Sequence, residues 1–329
     1  MNSPAAIYAI RWLIRDTFRQ ALASRIFWLM LAASSLCIVF CFSVGIENGA
    51  SLRFKDDIEL HGGDGKPLVG ANPKPGFLTV AFGALRFPLA RDGEAGVHFL
   101  MVLLAKVVAG AFGLMLALVW TAGFLPDFLQ PDAASVLLAK PVPRWSLLVG
   151  KYLGVLLFVA LQAAIFFGGT WVALGLKTGY WLPGYLAGIP LLVLSFAFTY
   201  SFAALLAVFT RSTIACIFGS ILFWLVCFGI NYGRHAAVTL PTLVPSAPAY
   251  PRSFTTLVEV GYWVLPKPAD MVMLLDQSLN AREHFGNLPE LEAVQKTDAF
   301  NPDLALLTSV LFSIVMLALA AHQLGKSEY

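Results

Sequence analysis

Long apolar runs alternate with short polar ones along this chain. Six runs, at about 26–46, 99–125, 152–176, 183–209, 213–231 and 304–324, hold a single charged residue between them, Lys106. A core helix of a soluble protein rarely stays apolar beyond about 10–14 residues, whereas a bilayer span needs about 20. In hydrocarbon every backbone N–H and C=O must be paired internally, so runs of this length predict helices. A membrane β-barrel would alternate apolar and polar positions, and stretches such as Leu153 to Ala160 do not alternate. The pattern predicts an all-α polytopic membrane protein forming one transmembrane domain over 1–329, with six spans and outer loops at about 47–98 and 232–303.

Composition agrees. Only 12% of residues are charged, about half of the roughly 25% usual in soluble domains. A soluble enzyme and a nucleic-acid binder are excluded on that ground. The first apolar run starts some 25 residues in and no small-x-small site follows it, so it reads as a signal anchor rather than a cleaved signal.

The net charge of +3 becomes informative once divided by side. Six spans put both termini on one side. The short segments there carry nine basic residues, Arg11, Arg15, Arg19, Arg25, Lys140, Arg144, Lys151, Arg211 and Lys326, against Asp16, Asp127, Asp132 and Glu328. Positive-inside then places both termini in the cytoplasm.

Residues 5–24 read as a helix lying on the inner membrane surface. Arg11, Arg15 and Arg19 form one basic stripe, with Ile7, Ile10, Ile14, Phe18 and Leu22 as an apolar stripe beside it. That layout suits a helix with its apolar side among acyl chains and its arginines at anionic lipid headgroups. In the first outer loop, Leu52, Phe54, Ile58 and Leu60 partly alternate with polar residues and predict a short hairpin. Residues 77–90 are mostly apolar and are placed at the outer interface. The second outer loop has closely spaced prolines (Pro241, Pro245, Pro248, Pro251) and then a more helical stretch at Ala269–Leu279.

Lys106 has two readings. An intramembrane charge can line a pathway or meet a partner, and a lysine two turns from a span end can snorkel to the interface. Gly150/Gly154 and Gly184/Gly188 have the GxxxG spacing that allows helices to approach closely, and Pro190 should kink the fourth span. The four cysteines lie within spans. Cys37 and Cys41 share a helix face, an arrangement open to metal binding but more economically read as small apolar residues.

Catalytic patterns are missing from the sequence. It has no HExxH, no GxSxG and no carboxylate cluster with histidine, and the five histidines are scattered. Gly325-Lys326-Ser327 resembles the end of a phosphate loop, but Ala320 stands where the first glycine is required. These features assign no catalytic, cofactor or metal site to the chain, and any uphill transport must draw its energy from another protein.

The loop between spans two and three runs Phe124-Leu-Pro-Asp127 to Gly150-Lys151. Asp132 can cap a short helix ending near Lys140, which Pro141 and Pro143 terminate, while Arg144 and Lys151 anchor the next span at the inner headgroups. Asp127, Leu137-Leu138, Lys140-Pro141-Val142-Pro143-Arg144 and Gly150-Lys151 resemble the loop of ABC-2 type permeases, the membrane subunits of ATP-driven exporters, with Ala134-Ser135 where Gly-Thr is usual. The six-span layout and the basic N-terminal helix extend the resemblance over most of the chain. It implies a subunit of the bacterial inner membrane that works as a homodimer or beside a related permease. A cytoplasmic ATPase subunit would bind ATP and Mg and dock on the 126–150 loop. The alternative from another class is a non-transporting membrane anchor or assembly factor that holds a partner through its outer loops.

Overall fold

The computed structural model describes residues 3–47, 77–80, 82–88, 93–130, 143–243, 250–280 and 300–326. The chain is an all-α polytopic membrane protein, and six of its helices are long and apolar enough to cross a bilayer. Helix α1 (Ser3–Ala23) leads into the first span, α2 (Arg25–Phe42). A three-stranded antiparallel sheet follows, β1 (Gly45–Glu47), β2 (Phe77–Val80) and β3 (Leu85–Pro88), in that order. The second span is one continuous rod built from α3 (Gly93–Leu103), a π-helical stretch (Leu104–Gly113) and α4 (Leu114–Thr121), closed by the short α5 (Phe124–Phe128). The third span is α6 (Arg144–Thr178). The fourth is a 3-10 turn (Pro183–Ala187) running into α7 (Gly188–Thr210), and the fifth is α8 (Thr213–Leu243). Two shorter helices, α9 (Arg252–Val264) and α10 (Pro268–Ser278), precede the last span, α11 (Pro302–Lys326).

The sheet differs from the sequence reading. The hairpin expected at Leu52–Leu60 lies outside the described residues, whereas 77–90, read as an interfacial segment, supplies the observed hairpin. Its strands pair from Phe77 with Pro88 to Val80 with Leu85. Its turn places Phe82 and Gly83 at φ 56° and 90°. Gly45 is needed on β1, because a Cβ there would stand 2.8 Å from Thr79 Oγ1, which donates to the Gly45 carbonyl.

The spans after the first are longer than their apolar runs. Helix α6 has 35 residues, about 52 Å at 1.5 Å per residue, well beyond the roughly 30 Å of hydrocarbon. Helix α8 continues twelve residues past 231, so the second outer loop does not begin there. Arg234, His235 and Thr239 of this extension are buried instead of facing water. Pro190 produces no mid-span break. It falls in the first turn of α7, where no N–H is required, and the chain changes there from 3-10 to α geometry.

Spans three and four form the centre. Half of the most apolar stretch of each is buried inside the protein, against 17% for the fifth span. Aromatic rings fill the middle layer, where Phe158 meets Trp120 at 5.0 Å and Phe27 at 5.1 Å between ring centroids. Toward the sheet end Met101, Phe167 and Tyr185 pack with Leu275 of α10. Toward the α1 end Leu125, Leu148 and Val208 pack with Leu324. Leucine, isoleucine and phenylalanine side chains such as Leu36, Phe218, Leu222 and Leu311 stay exposed on the outer surface, as lipid contact requires.

Glycine spacing decides two joints. A Cβ on Gly150 would stand 2.9 Å from Leu13 Cδ1 and 3.1 Å from Ile10 Cα, and one on Gly154 would stand 2.8 Å from Thr17 Oγ1. The pair is thus the seat on which α1 lies across the start of α6. The seated face of α1 is Ala6, Ala9, Leu13, Thr17 and Ala21, all buried. The stripe Ile7–Leu22 read from the sequence is a neighbouring one, with Ile7 65% and Leu22 47% exposed. Gly184 gives the second joint by letting the 3-10 turn rest on the Ser278 carbonyl at the end of α10.

Gly154→Val is expected to lift α1 from α6 at a cost of about 1–3 kcal/mol. A lower melting temperature in detergent and faster thiol labelling of an Ala9→Cys reporter would register it. Unchanged melting and labelling would refute the seat.

Candidate functional site

Among the described residues, three assemblies of charged side chains interrupt the apolar bundle. The first lies at the α1 end and contains the described flanks of the loop between the second and third spans. Asp132, Lys140 and Pro141 lie outside the described residues, while Asp127, Arg144 and Lys151 flank them. Arg144 Nη1 donates to the carbonyls of Leu324 and Gly325 at 3.2 and 3.3 Å. It thereby caps the carboxyl end of the last span, where a cation offsets the helix dipole and the unpaired carbonyls.

Lys151 corrects the sequence reading. It is 2% exposed rather than anchored at headgroups, because α6 begins at Arg144 and α1 covers its second turn. Its ammonium donates to Gln20 Oε1 at 2.6 Å and lies 3.8 Å from Asp16 Oδ2. The Phe124 and Phe128 rings stand at 5.9 and 5.7 Å from it, and exposed Asp127 adds its charge nearby. One lysine therefore ties α1, the end of the second span and the start of the third together. Trp120 Nε1 donates to Ser24 Oγ at 3.0 Å and holds the joint between α1 and α2 in the same way. Arg11, Arg15 and Arg19 are exposed along α1, free for the headgroup contact expected of them.

The second assembly resolves Lys106. It sits in the π-helical stretch, and its Nζ is 2.5 Å from the Asp276 carboxylate on α10. Both side chains are largely withdrawn, at 24% and 11% exposure. The lysine neither snorkels nor stands alone. It holds α10 against the second span.

The third assembly was missed from the sequence. Asp270, fully buried at the start of α10, accepts from Asn231 Nδ2 at 3.0 Å and from Tyr262 Oη at 2.8 Å. His235 Nε2 stands 2.6 Å from the same carboxylate and must carry the proton there, since an ionised carboxylate only accepts. The Asp270 backbone N–H returns a bond to Asn231 Oδ1 at 3.0 Å. Around this knot Arg234 pairs with Glu259 at 2.9 Å and its guanidinium lies 3.9 Å from the Tyr262 ring. Lys267 Nζ donates to Thr308 Oγ1 at 2.6 Å and also faces Tyr262, at 4.6 Å. Helices α8, α9, α10 and α11 meet here.

The electrostatics follow from burial. Burial pulls the Lys267 ammonium from its ordinary value of 10.5 down to about 8, with Asp270 opposing and Arg234 adding to the shift. Burial and then the Asp270 carboxylate push the Tyr262 phenol well above its usual range. Glu259 is raised by desolvation, but hydrogen bonds from Arg234 and Trp263 outweigh that and leave its carboxyl below the ordinary value. Both Asp270 oxygens are already engaged by donors, so the knot fastens helices and offers no open coordination to a substrate. Among the described residues no three His, Cys, Asp or Glu side chains gather as a metal site, and Cys41 is packed in the apolar core.

A signal for the knot did exist in the sequence. Asn231, Arg234 and His235 recur at helical spacing just beyond the fifth apolar run, which marks one polar face of a helix continuing past its hydrophobic part. Asp270, the partner of Asn231 and His235, and Glu259, the partner of Arg234, could not be chosen from the other acidic residues without the fold. No family model and no curated protein matches this chain.

Two outcomes are expected here. Lys106→Met and Asp276→Leu should each destabilise the detergent-solubilised protein by about 3 kcal/mol, and the double variant by less than their sum, because each single change strands a buried charge. Additivity would contradict the pair. For Lys267, the unfolded chain binds more protons than the folded one between about 8 and its ordinary value, so stability rises with pH in that window. The melting temperature of wild type relative to Lys267→Met should therefore increase from about pH 7 to about pH 10, and a constant difference would count against the depressed lysine.

Proposed function

We propose that this chain is the membrane-spanning permease subunit of an ATP-binding cassette exporter of the ABC-2 type. The reading rests on the inner loop: its resemblance at Asp127, Leu137-Leu138, Lys140–Arg144 and Gly150-Lys151 joins the anchoring of both loop ends to the bundle. Lys151 links the loop's far end to α1 and the second span, and Arg144 links it to the last span. A push on the 131–142 segment would be transmitted to three spans at once, which is the mechanical requirement of a coupling loop. A basic α1 at the same end supports a cytoplasmic position in the bacterial inner membrane, with both termini inside.

In this proposal the ATPase subunit binds ATP and Mg and docks on the 126–150 loop. A second permease copy, or a related permease, completes the pathway, and closure of the ATPases rocks the spans. The chain itself supplies no catalysis.

The test is affinity purification of the tagged protein in mild detergent, with partners identified by mass spectrometry. The expected result is recovery of an ATPase carrying a phosphate loop, lost when Lys140–Arg144 is replaced by Gly/Ser while the protein still reaches the membrane. An ATPase that stays bound to that variant would remove the loop as coupler. Recovery of no ATPase, with outer-loop partners instead, would favour the anchor reading.

A further inference from the structure

A cavity of about 160 Å³ lies between the first four spans. It is walled by the π-helical stretch on one side (Ala109, Phe112) and by α2 and α6 on the others. The wider π turn moves these residues out of the i→i+4 register that would let a straight helix pack flush. Exposed Ala33 and Phe112 also line the cavity, so it opens on the outer, lipid-facing surface of the bundle.

The lining includes two hydrogen-bonding side chains that face each other, Gln162 and Ser34. Gln162, 7% exposed, lines the cavity midway along α6. Its Nε2 donates to Ser34 Oγ at 2.9 Å. Its Oε1 is buried and meets no donor among the described residues. Acyl chains have no donor to give it, and a buried acceptor left unpaired is destabilising. The remaining wall is almost wholly apolar, and no charged side chain lines it. An ammonium ligand would enter without a counter-charge, and a carboxylate would set acceptor against acceptor. A hydroxyl fits, and it fits with either orientation of the amide because it both donates and accepts. Size sets the rest, since an apolar cavity of about 150 Å³ takes up a benzene-sized molecule.

We infer that this cavity is a binding site for a neutral, mostly apolar molecule, about the size of a small alkylphenol, held through one hydroxyl on Gln162 and entering from the lipid phase past Phe112. The inference stands on the cavity and does not require the exporter role.

The test uses the full chain in lipid nanodiscs and a diazirine-bearing alkylphenol as photoprobe, with labelled peptides mapped by mass spectrometry. Labelling is expected on the peptides around residues 108–117 and 159–166. 4-Propylphenol should compete about tenfold better than propylbenzene, the worth of one hydrogen bond. Gln162→Leu should erase that tenfold preference while keeping apolar binding, and Ala33→Trp, which fills the mouth from the lipid side, should abolish labelling. Melting temperatures of both variants confirm that they fold. Equal competition by the two compounds in wild type would overturn the inference without reference to any variant. So would labelling spread evenly over the lipid-facing surface, or a preference that survives in Gln162→Leu.

Discussion

The structure depends on one constraint: in hydrocarbon a polar group that lacks a partner has no water to turn to. The backbone meets it by forming helices, and the small hydroxyl side chains meet it by bonding their own helix. Thr121, Thr170 and Ser195 each donate to the carbonyl four residues back, at 2.8, 2.7 and 2.9 Å. Longer polar side chains cannot satisfy themselves and must reach another helix, so each becomes a fastener between elements. Lys151 fastens α1, Lys106 fastens α10, and Asp270 joins α10 to α8 and α9. Among the described residues, the cavity beside Gln162 is one place where that pairing stops short, with its Oε1 left over.

Apolar surface cannot supply the same specificity, because lipid tails are as apolar as leucine. What brings the helices into register is shape, and the small residues supply it. The seat of α1 on Gly150 and Gly154, and the close pass of Gly184 beneath the end of α10, are positions where a methyl group would force the helices apart. The central third and fourth spans carry these contacts. The peripheral fifth and sixth spans present mainly lipid-facing side chains.

The two ends of the bundle use the fasteners differently. At the α1 end Arg144 and Lys151 tie the start of the third span to the end of the last one and to α1. At the sheet end Arg234 of α8 and Asp270 and Asp276 of α10 are buried and paired. This end is held by pairs that removing a single member would unbalance, since a stranded charge is far worse than an apolar replacement of both.

The spans, the existence of helix α1 and the close-approach glycines were legible in the sequence because each rests on local spacing. The length of an apolar run forces a helix whatever surrounds it, and every fourth arginine marks a surface whatever lies beneath it. The α1 stripe that seats on α6 was not legible, because Ala6, Ala9 and Thr17 are small and mild and declare themselves only against Gly150 and Gly154. The partners of Lys106 and His235 were hidden for a different reason. Asp276 is 170 residues from Lys106 and Asp270 is 35 from His235, and nothing in a one-dimensional pattern distinguishes them from the other carboxylates of the outer loops. The sequence alone determined that the chain has six helices long and apolar enough to cross a membrane, since apolarity over that length is a property of each segment. Tertiary structure alone decided which polar groups meet, since pairing is a property of helices brought together.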